Sequence, residues 1–205
     1  MDAQALTVAH ACKGFLDEEE GLRLHDLARA QAPMGPIVEI GSYCGKSAVY
    51  LGAGAREANG MLVCVDHHRG SEENQPGWEY HDTDTWDTDA NAMDTLPFLR
   101  RTLRLAGLEQ HATIVVAQST ALAKIWSTPV GMLFIDGGHS FEAARGDYDA
   151  WAPKIASGGI LAIHDLFPNP ADGGQAPIEI YRHACASGDF DELPTTKTLG
   201  VLRRR

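Results

Sequence analysis

The sequence predicts an α/β fold in which a mostly parallel seven-stranded sheet carries helices on both faces. Short apolar runs bounded by turn residues alternate with segments of helical spacing, which is typical of a parallel sheet with crossover helices. Two further short runs near the end of the chain flank a proline and predict an antiparallel hairpin at the sheet edge. No internal repeat or linker divides the chain, so a single domain over residues 1–205 is expected.

The strands and helices follow from the apolar pattern in chain order. A helix at about 17–30 comes first, with acids from Asp17 to Glu20 at its start, where the helix dipole favours negative charge. Residues 1–33 are therefore expected to form a helical cap on the sheet. The predicted parallel strands cover residues 36–40, 61–65, 112–117, 131–135 and 159–164. The predicted helices between and after them cover 45–57, 97–106, 120–126, 140–155 and 177–186, and the hairpin strands cover 190–193 and 198–202.

Composition and charge limit the classes of function. A formal net charge of −11 argues against a nucleic-acid partner, because binding a phosphate backbone needs clustered lysine and arginine. The only basic cluster, Arg203 to Arg205, is expected to be a frayed tail. The N-terminal residues show no signal-peptide pattern and no apolar stretch reaches membrane-spanning length, so a cytoplasmic protein without a membrane partner is expected. The four cysteines are widely spaced, which predicts reduced thiols.

The stretch Glu39 to Ser47, EIGSYCGKS, ends like a phosphate-binding loop. However, Gly41 and Gly45 are one residue too close for that motif, and Glu39 would repel a triphosphate. A dinucleotide loop would need glycine where Tyr43 stands. An acid before the glycines instead favours a ligand with positive charge. A second acid, Asp66, closes the next strand, where its carboxylate can accept hydrogen bonds from the two hydroxyls of a ribose.

This combination of acids and glycines resembles the S-adenosylmethionine loop of the class I methyltransferases. The resemblance extends over nearly the whole chain and implies a Rossmann-like, doubly wound sheet with S-adenosylmethionine as cofactor. It also implies that Lys46 is a solvated residue on the first turn of a helix. The cofactor-binding residues that it implies are Glu39, Gly41, Ser42, Gly45, Ser47, Asp66, His67, Gln118, Ser119 and Asp136.

The segment at 134–165, FIDGGHSFEAARGDYDAWAPKIASGGILAIHD, is similar to the small O-methyltransferases of natural-product and sugar tailoring. That group includes cephalosporin-hydroxylase-type and macrolide-sugar enzymes. The similarity implies methylation of a hydroxyl on a small glycoside, polyketide or phenolic acceptor. N-methylation, the identity of the acceptor and a homodimeric assembly stay open at this point.

Methyl transfer to a hydroxyl needs help in removing a proton, because alcohols do not ionise at neutral pH. His139 is the candidate base, and Asp136 lies beside it in the sequence as a second catalytic candidate. Alternatively, Asp136 and Asp165 would hold Mg²⁺ or another divalent cation, which lowers the pKa of the hydroxyl. His164 is a poor magnesium ligand and is expected to contact the substrate or to support the ligands. Asp147 is expected only to cap its helix or to pair with Arg145.

Residues 67–89 form a long polar segment that is expected to be a lid over the acceptor. Its aromatic and histidine side chains suit stacking on a sugar or an aromatic ring. They are His67, His68, Trp78, Tyr80, His81 and Trp86. Two other functions stay open: a nucleotide-binding phosphotransferase that uses GSYCGKS, and a non-catalytic module that binds the cofactor without turnover.

Overall fold

The computed structural model describes residues 1–78, 81–138 and 140–205. Nine strands occur in these residues, in two sheets. In chain order they are β1 (Ile37–Ile40), β2 (Leu62–Asp66), β3 (Trp86–Asp87), β4 (Ala92–Met93), β5 (Ala112–Val116), β6 (Val130–Ile135), β7 (Ile155–Ile163), β8 (Phe190–Thr196) and β9 (Leu199–Arg204). The helices are α1 (Ala3–Ala11), α2 (Glu18–Gln31), α3 (Lys46–Glu57), α4 (Leu96–Leu105), α5 (Ser119–Ala123), α6 (Phe141–Trp151) and α7 (Ala176–Ala186).

The large sheet has seven strands in the order β5-β2-β1-β6-β7-β9-β8. The first five are mutually parallel, whereas β9 runs antiparallel to both β7 and β8. The chain builds outward from β1 to β5 and then returns to place β6 on the other side of β1. The order of the strands thus reverses between β1 and β6, and ligands of open α/β sheets bind in the crevice at such a point.

Alternation along each strand divides the core between the two faces of the sheet. On one face, helices α1 to α4 pack on strand residues such as Ile37, Leu62 and Phe134. On the other face, α6 and α7 pack on Val38, Leu133 and their neighbours. The predicted α/β sheet with helices on both faces and a C-terminal hairpin is therefore confirmed.

Three local features of the structure were not predicted from the sequence. α1 was not predicted, and it packs with α2 on α3, so the N-terminal residues add a helical layer to one face. The predicted helix at 140–155 ends at Trp151, and β7 starts at Ile155, with a register shift opposite Val130 and Met132. The predicted lid contains the strand β3, which pairs antiparallel with β4.

The basic tail is not frayed, which corrects the prediction for Arg203 to Arg205. Arg203 and Arg204 belong to β9, and the guanidinium of Arg204 lies 5.1 Å above the ring of Phe190. Arg205 forms an ion pair with Asp191 at 2.7 Å. The tail is ordered because the hairpin supplies both a strand partner and acidic side chains. Among the described residues, no helix has both the length and the apolar character needed to cross a membrane.

Candidate functional site

The glycine-rich turn after β1 lies against the loop after β6. Gly41 has a φ of +87°, which favours glycine, and a Cβ there would collide with the carbonyl oxygen of Asp136. Gly45 is also left-handed, with a φ of +97°, and immediately precedes α3. The hydroxyl of Thr102 on α4 donates to the carbonyl of Cys44 at 2.8 Å. The bond from Thr102 thereby fixes the turn close to the strand ends. At Gly41 the two backbones approach so closely that a side chain would not fit.

Glu39 is fully buried at the end of β1. Neither of its carboxylate oxygens has a hydrogen-bond partner in good geometry among the described residues, and the hydroxyl of Ser42 is likewise buried without a partner. Burial raises the pKa of Glu39 to about 7, the nearby hydroxyls of Ser47 and Ser42 oppose this rise, and the charge of Asp136 adds to it. Buried polar groups without partners are rare in folded proteins, so these atoms are suited to a bound ligand.

Asp66 at the end of β2 is tied to the backbone on both sides of its carboxylate. The N–H of Tyr43 donates to Oδ2 at 2.9 Å, and the N–H of His68 donates to Oδ1 at 2.7 Å. The side chain stays partly exposed, and each oxygen keeps a lone pair for a further donor. Its orientation is therefore fixed while its capacity to accept hydrogen bonds from hydroxyls remains.

The two histidines after Asp66 differ in their surroundings. His67, the predicted cofactor contact, is partly exposed, and its Nδ1 accepts from the N–H of Arg69 at 3.1 Å. His68 is buried, with Nδ1 2.7 Å from the Thr95 hydroxyl, and burial lowers its pKa. Its Nε2 has no partner among the described residues. The sequence pointed to His67 and grouped His68 with the lid, whereas the structure places His68 inside the protein.

At the end of β5, Gln118 is exposed and Ser119 begins α5. The Ser119 hydroxyl donates to Oδ1 of Asp147, and its carbonyl accepts from the indole N–H of Trp151 at 3.2 Å. The predicted pairing of Asp147 with Arg145 is wrong. Arg145 Nε donates instead to Asp149 at 2.7 Å, because Arg145 and Asp149 lie on the solvent side of α6 and Asp147 lies on its buried side.

The acids predicted to hold a metal lie together at the ends of β6 and β7. Ligand atoms of Asp136, His164 and Asp165 are all within 4.8 Å of one another. Nδ1 of His164 lies 3.1 Å from Asp136 Oδ1 and 3.3 Å from Asp165 Oδ1. Nε2 of His164 lies 3.0 Å from Oε2 of Glu20. Burial would lower the pKa of His164, but the neighbouring carboxylates, Asp136 above all, outweigh it and raise the pKa to about 11.

Glu20, on the first turn of α2, is the member of this cluster that the sequence did not reveal. Its Oε1 accepts from both the N–H and the hydroxyl of Thr198, each at 2.7 Å. Because Glu20 and His164 are separated by 144 residues, no local pattern links them. The available signal, a glutamate three residues after Asp17, indicates a capping box, which the structure also contains.

The predicted lid is held beside the glycine turn. The amine of Lys13 contacts Asp82 at 2.6 Å and Asp84 at 2.8 Å, and the Tyr43 hydroxyl donates to Asp82 at 3.4 Å. An open cavity in this segment is lined by Pro76, His81, Thr83, Trp86, Thr88 and Asn91. Tyr80 of the lid and His139, the predicted base, lie outside the described residues.

Comparison with known proteins agrees with this fold. Solved structures with the same fold include the O-methyltransferase TomG from Streptomyces achromogenes, involved in tomaymycin synthesis and solved with SAM (TM-score 0.64, 17% identity, 100% of this chain and 91% of that chain). PaMTH1 from Podospora anserina, solved with SAH, has a TM-score of 0.69, 15% identity and coverage of 100% and 89%. An O-methyltransferase from Bacillus cereus has a TM-score of 0.64, 14% identity and coverage of 100% and 92%.

These identities are low, so the likeness establishes the fold. The family is established by a separate match, in which the family model described as a methyltransferase domain covers residues 38–166 of this chain. The match runs from β1 to the residues just after β7 and so includes the glycine turn, Asp66, Asp136 and His164. It confirms the family that the sequence resembles. The chain belongs to the methyltransferase domain family.

Proposed function

We propose that this protein transfers the methyl group of S-adenosylmethionine to a hydroxyl of a small glycoside, polyketide or phenolic acceptor. The observation that carries the proposal is the carboxylate of Glu39, which is fully buried and has no hydrogen-bond partner in good geometry among the described residues. A ligand ammonium would supply the missing donors and a compensating charge. All three solved structures described above hold SAM or SAH, and TomG and the Bacillus cereus protein are O-methyltransferases.

The described residues fit this donor in two places. Glu39 would accept from the ammonium of the methionine portion, with the hydroxyls of Ser42 and Ser47 beside it. Asp66 would accept from the ribose hydroxyls while the N–H groups of Tyr43 and His68 keep it in place. When bound, the donor supplies a methyl group on a positively charged sulfur. The acceptor oxygen would attack the methyl carbon in line with the carbon–sulfur bond, and the sulfur would leave as a neutral thioether.

The acceptor hydroxyl has to lose a proton as the methyl group moves. His139 keeps its predicted role as the base in this proposal. Asp136 precedes it by three residues, and its carboxylate is held by Nδ1 of His164. The hydrogen bond from His164 fixes the direction of the remaining lone pairs of the Asp136 carboxylate. Asp136 therefore serves to orient groups at the end of β6.

A divalent cation fits this cluster poorly. Each ring nitrogen of His164 faces a carboxylate, with Nε2 directed to Glu20 and Nδ1 to Asp136 and Asp165. Nδ1 of His164 lies 3.1 Å from Asp136 and 3.3 Å from Asp165, so a cation held by these two carboxylates would have to compete with the histidine for their oxygens. We therefore derive no catalytic step through a metal and expect methyl transfer to proceed in the presence of a chelator.

The lid supports an acceptor with a ring. Trp86 and His81 line its cavity with their rings 5.5 Å apart, beside the polar side chains of Thr83 and Asn91. An aromatic surface edged by hydrogen-bonding groups suits a sugar or a phenol. The contacts of Asp82 with Lys13 and Tyr43 hold this surface next to the glycine turn.

The phosphotransferase alternative is poorly suited to the same loop. The amine of Lys46 lies 3.4 Å from the carbonyl of Gly14, and a Cβ at Gly14 would crowd the Lys46 side chain. Lys46 therefore packs against the connection between α1 and α2. Together with the buried carboxylate of Glu39 under the turn, this arrangement disfavours a triphosphate.

Titration calorimetry tests the proposal with S-adenosylhomocysteine and, separately, with ATP and magnesium. The wild-type protein is expected to bind S-adenosylhomocysteine and not ATP. Replacing Asp66 with Asn is expected to weaken binding about 10- to 100-fold, because one accepting oxygen for the ribose is lost. Asp149→Asn is the control, since Asp149 is exposed and pairs with Arg145 on the outer side of α6.

A screen of hydroxylated acceptors with labelled S-adenosylmethionine, with and without EDTA, then tests the reaction itself. Turnover that survives EDTA and is lost in His139→Ala supports the proposal. Binding of ATP alone would overturn it in favour of the phosphotransferase. Binding of S-adenosylhomocysteine without turnover on any acceptor would favour a non-catalytic module.

A further inference from the structure

Residues 82–95, which we call the lid hairpin, continue the predicted lid through β4 to the start of α4 and are attached to the protein at both ends. At the Thr95 end the attachment is buried. The Thr95 hydroxyl lies 2.7 Å from Nδ1 of His68, and the N–H of Thr95 donates to the carbonyl of His68 at 3.3 Å. The guanidinium of Arg69 adds a bond to the carbonyl of Met93 at 3.0 Å. This end is therefore a fixed anchor.

The other end of the lid hairpin is held near the surface by Asp82. Its Oδ2 accepts from the amine of Lys13 at 2.6 Å and from the hydroxyl of Tyr43 at 3.4 Å, and the same amine contacts Asp84 at 2.8 Å. Burial would raise the pKa of Asp82, but the hydrogen bonds from Lys13 and from the N–H of Asp84 outweigh it and lower that pKa. Lys13 and Asp82 are 35% and 26% exposed, so water reaches this ion pair, and it can open without disturbing the core.

Both ends of the lid hairpin lead to the carboxylate of Asp66. The N–H of Tyr43 donates to Oδ2 of Asp66, and the N–H of His68 donates to Oδ1. Tyr43 and His68 are left-handed, with φ of +45° and +59°, a conformation that non-glycine residues keep where the surrounding contacts impose it. The residue that fixes one oxygen of Asp66 thus holds the surface end of the hairpin, and the residue that fixes the other oxygen holds the buried end.

We propose that Lys13 is a positioning residue that couples the lid to the donor site: it holds Asp82 against Tyr43, so that donor binding at Asp66 and ordering of the lid hairpin stabilise each other. This inference rests on the proposed function, in which Asp66 binds the ribose of the methyl donor.

The coupling follows from the order of the contacts. A ribose bound to Asp66 restrains the N–H groups of Tyr43 and His68, and these two residues restrain the two ends of the lid hairpin. Coupling between two sites is reciprocal, so an acceptor that orders the lid raises donor affinity by the same factor by which the donor raises acceptor affinity. The donor would thereby set Trp86 in place before the acceptor enters.

Hydrogen exchange of the amides of residues 82–95, measured by mass spectrometry with and without S-adenosylhomocysteine, tests the coupling. In the wild-type protein the ligand is expected to slow exchange in this segment about 2- to 5-fold, which is the effect that one partly exposed ion pair can transmit. Lys13→Met keeps the length of the side chain and removes its charge, so this slowing should be lost and the affinity for the ligand should fall about 2- to 5-fold. The difference between bound and free protein is the readout, because a purely structural effect changes both alike.

Two matched variants sharpen the test. Lys13→Arg keeps a positive donor between the two acids and is expected to retain the slowing. Lys197→Met removes another partly exposed lysine, which pairs with Asp17 at 2.7 Å away from the lid, and is expected to behave as the wild-type protein does. Adding Lys13→Met to Asp82→Asn should cause little further loss of affinity, because both changes remove the same contact.

The outcomes separate this inference from the proposed function. If the wild-type protein binds S-adenosylhomocysteine without slowing of exchange in residues 82–95, the inference is overturned while the donor site stands. The same holds if Lys13→Met shows the full slowing, or if the losses in Lys13→Met and Asp82→Asn are additive. If the wild-type protein does not bind the ligand, the donor site fails and the inference fails with it.

Discussion

Two buried glutamates near the carboxyl ends of the parallel strands have opposite surroundings. Glu39 is fully buried and has no hydrogen-bond partner in good geometry among the described residues, whereas Glu20 is 2% exposed and accepts from Thr198 and His164. Burial raises the pKa of Glu39 to about 7. Burial acts on Glu20 in the same direction, but the hydrogen bonds from His164 and Thr198 outweigh it and lower the pKa of Glu20.

The contrast teaches that burial alone does not identify a functional acid. Glu20 is satisfied by the protein itself and joins three elements: α2, the end of β7 and the turn between β8 and β9. Glu39 lies under the glycine turn, and among the described residues no donor reaches its carboxylate in good hydrogen-bond geometry. A saturated carboxylate stabilises the fold, and an unsaturated one is available to a ligand. Replacing each glutamate with glutamine should therefore separate effects on stability from effects on binding.

The largest effect is expected for Glu20→Gln, on the free energy of unfolding. Removing one charge of a buried ion pair typically costs about 3–5 kcal/mol, because the partner charge stays buried. In addition, the amide NH₂ of the new glutamine is a donor. It would point at groups that donate to Glu20 in the wild-type protein, either Thr198 or Nε2 of His164. Urea unfolding followed by circular dichroism measures the loss.

The control for that substitution is Glu19→Gln, one residue earlier on α2. Glu19 is 70% exposed and lies 3.8 Å from Lys197, so its replacement should change the free energy of unfolding by less than about 0.5 kcal/mol. Equal urea midpoints for the Glu20 and Glu19 variants would show that the buried network does not stabilise the fold.

Glu39→Gln is expected to have the opposite profile. The free energy of unfolding should stay the same or rise, because the substitution removes a buried charge that lacks a hydrogen-bonded partner. Affinity for S-adenosylhomocysteine should fall about 10- to 100-fold, because a charge-assisted bond to the ammonium is lost. Parallel urea unfolding and calorimetry on one preparation give both numbers.

A loss of stability in Glu39→Gln comparable with that in Glu20→Gln would remove the distinction between the two acids. It would mean that Glu39 is held by the nearby hydroxyls of Ser42 and Ser47 in the free protein. Unchanged affinity would exclude Glu39 as the group that binds the ammonium. Glu20→Gln, measured under conditions where it is folded, is the comparison for affinity and should bind nearly as wild type does.

The sequence predicted Glu39 as a ligand-binding acid but did not predict the buried contacts of Glu20, and the reason is physical. Glu39, Gly41 and Asp66 are recognisable because a strand end and a tight turn impose their spacing within a short stretch of chain. The apolar runs likewise revealed the five parallel strands and the hairpin. Glu20 and Asp147 act through contacts with His164 and Ser119 that only the folded chain brings together. From the local pattern, Glu20 was therefore predicted only as one of the acids at a helix start, and Asp147 only as a residue that caps its helix or pairs with Arg145.

The smallest and most specific effect is the pH dependence of cofactor binding. Since Glu39 has a pKa of about 7 in the free protein, it is largely protonated below that pH and cannot pair with an ammonium until it loses the proton. Affinity for S-adenosylhomocysteine should therefore rise between pH 5.5 and about 7, by at most about tenfold per unit, and level off above. The sign follows because the bound state favours the ionised carboxylate. Calorimetry at pH 5.5, 6.5 and 7.5 measures the rise, which should vanish in Glu39→Gln; if the slope persists in that variant, another group is titrating and Glu39 is not the acid that binds the ammonium.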